Sequence, residues 1–176
     1  MKQINKYIQE RLHINKDIKS YNYHPTTIYE LEKLVKKLIK ERGNDADLND
    51  IDTSEITDMS GLFYRSKFNG DISKWDVSNV EDMHGMFAFS KFNGDISNWD
   101  VSNVKNMHMM FYKSPFTGKN CNISNWDVSN VKDMGAMFYE SPFNGDISKW
   151  DVSNVKNMWY MFLGSPLQQN PPEWYK

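Results

Sequence analysis

One phrase constrains this chain more than any other: Trp-Asp-Val-Ser-Asn-Val, opened by Trp75, Trp99, Trp126 and Trp150 at steps of 24, 27 and 24 residues. Ile51 opens a degenerate copy, and Trp174 stands one step beyond Trp150 in a segment that has lost the rest of the phrase. A fixed period in this range marks a repeat stack, in which each unit buries its apolar face only against its neighbours and the terminal copies are atypical because they face water on one side. The long step has a local cause: Lys119, Asn120 and Cys121 are extra residues after Gly118. They predict a loop that bulges outward without disturbing the stack.

Within a unit, Trp75 and Val77 alternate with Lys74, Asp76 and Ser78, which reads as a short strand with Trp and Val inward. Val80, Met83, Met86 and Phe87 then recur at three- and four-residue spacing, the pattern of a short helix, with Ser78 and Glu81 placed like a capping box. Phe92-Asn93-Gly94-Asp95 supplies a turn. The expected fold is therefore an α/β repeat solenoid over residues 47–165, with five units, parallel strands on one face and short helices on the other. Residues 1–46 would form an N-terminal helical cap, and residues 166–176, with Pro171, Pro172 and Trp174, a C-terminal cap. Four columns form the expected core: Ile51 with the four Trp; Met59, Met83, Met107, Met134 and Met158; Phe63, Phe87, Phe111, Phe138 and Phe162; Phe68, Phe92, Phe116, Phe143 and Leu167.

The run Phe-Asn-Gly-Asp-Ile-Ser-x-Trp-Asp-Val-Ser-Asn-Val, followed by Met-x-x-Met-Phe, closely resembles the BspA-like surface-protein repeat of mycoplasma and other bacterial lipoproteins, over roughly residues 47–176. That family is usually described as leucine-rich-repeat-like, and in Ile72-x-x-Trp75-x-Val77-x-Asn79 the Asn stands one residue early. The resemblance implies adhesion or protein binding, commonly at a cell surface, and no enzyme.

Ahead of the repeats, Ile4, Ile8 and Leu12 predict an amphipathic helix over residues 3–12. A stronger helix follows Pro25. Thr27 and Glu30 make a capping box, Ile28, Leu31, Leu34, Val35 and Leu38 one apolar face, Glu32 and Lys36 an ion pair, and Gly43 the C-terminal cap. The N-terminus carries neither an apolar run nor a lipobox-like cysteine, so a cytoplasmic or phage-associated protein with no membrane insertion is expected. Net charge is −2 with Lys and Asp interleaved, unlike the basic patch of a nucleic-acid binder.

Chemistry-bearing residues lie inside the repeat. Asp52, Asp76, Asp100, Asp127 and Asp151 form a column of like charges at about 4.7–4.9 Å spacing if the strands stack. Either calcium offsets the repulsion or each Asp accepts hydrogen bonds at a turn. The column of Asp58, Asp82, Asn106, Asp133 and Asn157 exchanges Asp for Asn, which suits the turn. His84 and His108 share a column without a third ligand, His13 and His24 share no spacing with them, and Cys121 reads as an incidental thiol. No phosphate loop or nucleophile elbow is present, so neither an enzyme nor a cofactor is expected.

Candidate partner-binding residues are those where the repeat varies. On the strand side these are Lys74, Asn98, Asn125 and Lys149, with Asp50 and the Asp76, Asp100, Asp127 and Asp151 column. On the helix side they are Phe89, Met109, Tyr112, Tyr139, Trp159 and Tyr160, which serve either as hot spots or as packing between units. The strand side is the first guess by analogy with leucine-rich folds. The expected function is non-catalytic protein recognition. The alternatives are a self-assembling phage or envelope component, and a calcium or small-ligand binder using the Asp columns.

Overall fold

A computed structural model describes residues 21–175 of the chain; the expected helix over residues 3–12, and His13, lie outside them. Among the described residues the expected α/β solenoid is not found. There is one α-helix, α1 (Ile28–Arg42), one 3-10 turn (Pro166–Gln168), no strand longer than a single bridge, and six isolated parallel bridges. The units stack, but each is built from turns.

The reason lies in the small polar residues. Asp71 accepts the Ser73 N–H, Asp76 the Ser78 N–H and Asp82 the His84 N–H, and Ser90 Oγ accepts the Phe92 N–H. Short polar side chains thus close four turns in one unit, each holding an N–H that a strand or helix would have used. The alternation at Trp75 and Val77 is real but short, bounded by turns from Trp75 N–H to Ile72 O and from Val80 N–H to Val77 O.

The expected helix fails for a second reason. Gly61, Gly85, Met109, Ala136 and Tyr160, one column, all have φ between 52° and 64°, and Arg65, Phe89, Lys113, Glu140 and Gly164, four residues on, are also left-handed. Two such residues per unit exclude a right-handed helix. In its place the N–H groups alternate. Those of Met83, Gly85, Phe87 and Phe89 reach the carbonyls of Asn106, His108, Met110 and Tyr112 in the next unit, while those of Met86, Ala88 and Ser90 close turns three residues back. The row is polar: along it, each unit donates forward and accepts from behind.

The core columns are as expected. Apart from Met158, which is partly exposed, all four are buried. Phe63, Phe87, Phe111 and Phe138 stack on the next ring at 5.5–6.1 Å, within 9° of parallel. Burying rings of this size stabilises by roughly 1.5–3 kcal/mol each before entropy is subtracted. The Asn residue of the phrase forms a ladder despite its early position: Asn79, Asn103, Asn130 and Asn154 each donate Nδ2–H to a Ser carbonyl of the preceding unit at 2.7–2.9 Å.

α1 closes the N-terminal end. Thr27 Oγ1 accepts the Glu30 N–H, while Glu30 reaches back to Thr26 rather than to Thr27, and Gly43 donates to Ile39 O at φ 95°. Lys36 and Glu32 pair. At the other end Trp174 continues the Trp column, 6.5 Å from Trp150, and donates Nε1–H to Ile147 O as Trp150 does to Ile123 O. The inserted residues bulge outward only in part, and the ring, bridge and Asn columns run on past them. Lys119 and Asn120 are exposed, but Cys121 turns inward, accepts the Ile96 N–H on Sγ, and has its thiol pushed up to about 11 by burial. Trp126, next after the insertion, has a buried Nε1–H that finds no acceptor among the described residues.

Candidate interaction surfaces

The first candidate face runs along the Trp-Asp-Val phrase. Lys74, Asp76, Asn98, Asp100, Asn125, Asp127, Lys149 and Asp151 are all exposed, so the columns inferred for a strand side survive without strands. Their carboxylates are engaged: Asp76, Asp100, Asp127 and Asp151 each accept the N–H of the Ser two residues on at 3.0–3.1 Å. The Ser153 N–H holds the Asp151 carboxyl below the usual carboxylate range, and at Asp127 the Ser129 hydroxyl and N–H do the same. Asp133, in the neighbouring column, is pushed up by burial, yet the Gly135 N–H and Asn157 outweigh this and its carboxyl lies low. These carboxylates act as turn formers. Among the described residues no group of three or more His, Cys, Asp or Glu is arranged to hold a metal ion. Asp50 is withdrawn from this face altogether, since Nη1 and Nη2 of Arg42 both donate to its carboxylate at 2.9 Å.

The second face lies over the donating row. Phe89, Tyr112 and Tyr139 come together there and are joined by Tyr64, which the sequence reading missed. Tyr64 meets Phe89 edge-on at 5.9 Å, Phe89 meets Tyr112 at 5.2 Å, and Tyr112 stacks flat on Tyr139 at 4.7 Å. Each half of the row carries a cation. Arg65 lies 5.2 and 5.3 Å from the ring centres of Tyr64 and Phe89, and Lys113 lies 5.7 and 5.6 Å from those of Tyr112 and Tyr139. Lys113 also pairs with Glu140 at 3.2 Å, which raises its pKa. Beside the rings runs a groove lined by Gly61, Gly85, Met109 and His84 together with Tyr64, Phe89 and Tyr112. His84 stacks on His108 at 5.2 Å, and His108 Nδ1 is 3.1 Å from Asp133.

Trp159 and Tyr160 do not join this row. They sit on the last unit, beside Met158 and Tyr175. Tyr64 could have been found from the register, since Tyr64, Tyr112 and Tyr139 share one column and Phe89 stands one residue beyond it. The second face offers flat ring faces edged with cations. That suits stacking against a partner's apolar or planar groups.

Stacked turns, a ring column and an asparagine ladder define a tandem-repeat protein whose surface is a set of columns. The chain belongs to the family described as mycoplasma protein of unknown function, DUF285, whose model matches residues 29–121 and again residues 115–175. No curated protein and no solved structure matches it. No helix among the described residues is long and apolar enough to cross a membrane.

Proposed function

We propose that the protein is a non-catalytic recognition module that binds a protein partner across several units, through the aromatic row of Tyr64, Phe89, Tyr112 and Tyr139. One observation carries this reading: four large rings, none fully buried, are aligned on consecutive units and edged by Arg65 and Lys113. Rings already stacked on one another lose little freedom on binding and present a broad apolar area, the composition of interface hot spots. The Asp face is the weaker candidate, because its carboxylates are spent on turns and the leucine-rich analogy that favoured it rested on strands. The resemblance of the repeat to BspA-like surface proteins, with their adhesive role, points the same way.

Affinity capture from host lysate, read by quantitative mass spectrometry, tests the reading. A partner held by the wild type and by D76A/D100A/D127A, but lost with Y112A/Y139A, is the expected result. A partner indifferent to the Tyr pair overturns it.

A further inference from the structure

We infer that copies of this chain associate head to tail, the last unit of one copy donating backbone hydrogen bonds to the first unit of the next. The inference goes beyond the recognition reading and is independent of it. In every unit but the last, the donating row is met by the next unit's carbonyls; Met134, Ala136, Phe138 and Glu140, for example, donate to Asn157, Trp159, Met161 and Leu163. In the last unit the corresponding donors are Met158, Tyr160, Phe162 and Gly164. Gly164 is satisfied by Gln168 Oε1 at 2.7 Å, and the other three N–H groups have no acceptor among the described residues.

The first unit is the complement. The carbonyls of Asp58, Ser60, Leu62 and Tyr64 hold the accepting positions, and none takes a backbone hydrogen bond from a described residue. One end is thus an edge of donors and the other an edge of acceptors in the same register. Such edges match each other and do not match themselves, so the contact is heterologous and can repeat.

Side chains at the two edges fit the same pairing. Val152, Val155 and Met158 are partly exposed, whereas their counterparts Val128, Val131 and Met134 are buried under the following unit. Trp159 is 79% and Tyr160 63% exposed. In the register of the stack they would lie against Ser60 and Gly61 of the next copy, where a side chain at Gly61 would meet nothing closer than 4.0 Å. Leu163 would face that copy's Tyr64, extending the ring row across the joint. Trp174 covers the Trp column, and Tyr175 lies edge-on to Phe162 at 4.8 Å with its hydroxyl on Met158 O, so the joint requires the Tyr175 ring to turn aside while Trp159 and Tyr160 stay exposed.

Sedimentation velocity on the full chain, with two end-blocked variants, tests the inference. W159E spoils the donating end and S60E the accepting end; both positions are outside the core, and the Ser60 column already holds His and Trp in other units. Tyr64→Glu substitutes for S60E should that variant lose its folded circular-dichroism spectrum. Wild type is expected to grow past dimer with concentration, each variant alone to remain monomeric, and an equal mixture of the two to form a dimer and stop there. A wild type monomeric at millimolar concentration, or a mixture no larger than its parts, overturns the inference. So does a self-dimer of either variant, because it requires a symmetric contact.

Discussion

At Gly61 the backbone sits at φ +64° and an added Cβ would meet nothing nearer than 4.0 Å, whereas at Gly70 φ is ordinary and an added Cβ would lie 2.0 Å from Ala46 O and 2.8 Å from Ala46 N. The two glycines serve different needs. Gly61 supplies a left-handed residue that Met109, Ala136 and Tyr160 supply with side chains in other units, so the fold tolerates a Cβ there at the conformational cost alone. Gly70 lets the chain pass directly against the backbone of the preceding turn, where Asp71 donates to Ala46 O at 3.0 Å. Gly61→Ala should therefore cost about 1 kcal/mol, a loss of a few degrees in Tm. Gly70→Ala should cost several-fold more, because backbone rather than a flexible side chain must move. Thermal melts of the two variants side by side check this; equal losses would show that the close approach at Gly70 is not what requires glycine.

At the scale of elements, α1 is tied to the first unit by Arg42 and Asp50. The Arg42 fork lowers the Asp50 carboxyl from 3.8 to about 2. A lowered folded value means that the contribution is complete above the unfolded pKa and is lost as pH falls from about 4 through about 2. Asp95, Asp146 and Asp151, each held low chiefly by a Ser N–H, add losses in the same direction as acid is added. The wild-type Tm should fall steeply below pH 4. Asp50→Asn should be about 1 kcal/mol less stable at pH 7 and should converge on wild type near pH 2, while an offset constant across pH would remove the ion pair as its cause. The elements themselves were only partly legible. α1 could be read because Thr27, its apolar spacing and Gly43 all agree, and the four core columns because registered repetition places like residues on like. The Trp75–Val77 alternation misled because two inward residues separated by one are common to a strand and to a pair of turns closed by Asp. The spacing of Val80, Met83, Met86 and Phe87 misled because consecutive turns also bring every third or fourth residue inward. Gly61 and Gly85 in one column, with an Asp or Asn two residues before Ser, His or Gly at three points of the second, third and fourth units, were the available signals for turns. The candidate site was half visible: Phe89, Tyr112 and Tyr139 stood out as variable aromatics and Tyr64 could be placed by its column, but Phe89 stands one residue off that column and its contacts with Tyr64 and Tyr112 had no signal in the sequence.

For the whole molecule, stability resides in junctions between like surfaces, and this makes the stack divisible at one length only. Excising residues 71–94 joins Gly70 to Asp95 and brings the third unit against the first. Trp99 then takes the place of Trp75 with its indole N–H on Leu48 O, Asn103 takes the place of Asn79 on Ser54 O, and Met107 and Phe111 follow Met59 and Phe63. Every junction that remains is of a kind the native chain already contains. The shortened chain should fold cooperatively, with a urea m-value lower by roughly a seventh, since m follows the surface buried on folding. Its midpoint should also be lower, as nearest-neighbour coupling along a repeat array requires. Excising residues 71–82 instead removes half a period, setting Met83 where Asp71 should be and turn-forming Asp and Ser residues against ring columns. That chain should show no cooperative transition. Tryptophan fluorescence in urea distinguishes the two cases directly. If both deletions unfold alike, the units are held by contacts reaching beyond their neighbours, and the nearest-neighbour description of the stack fails.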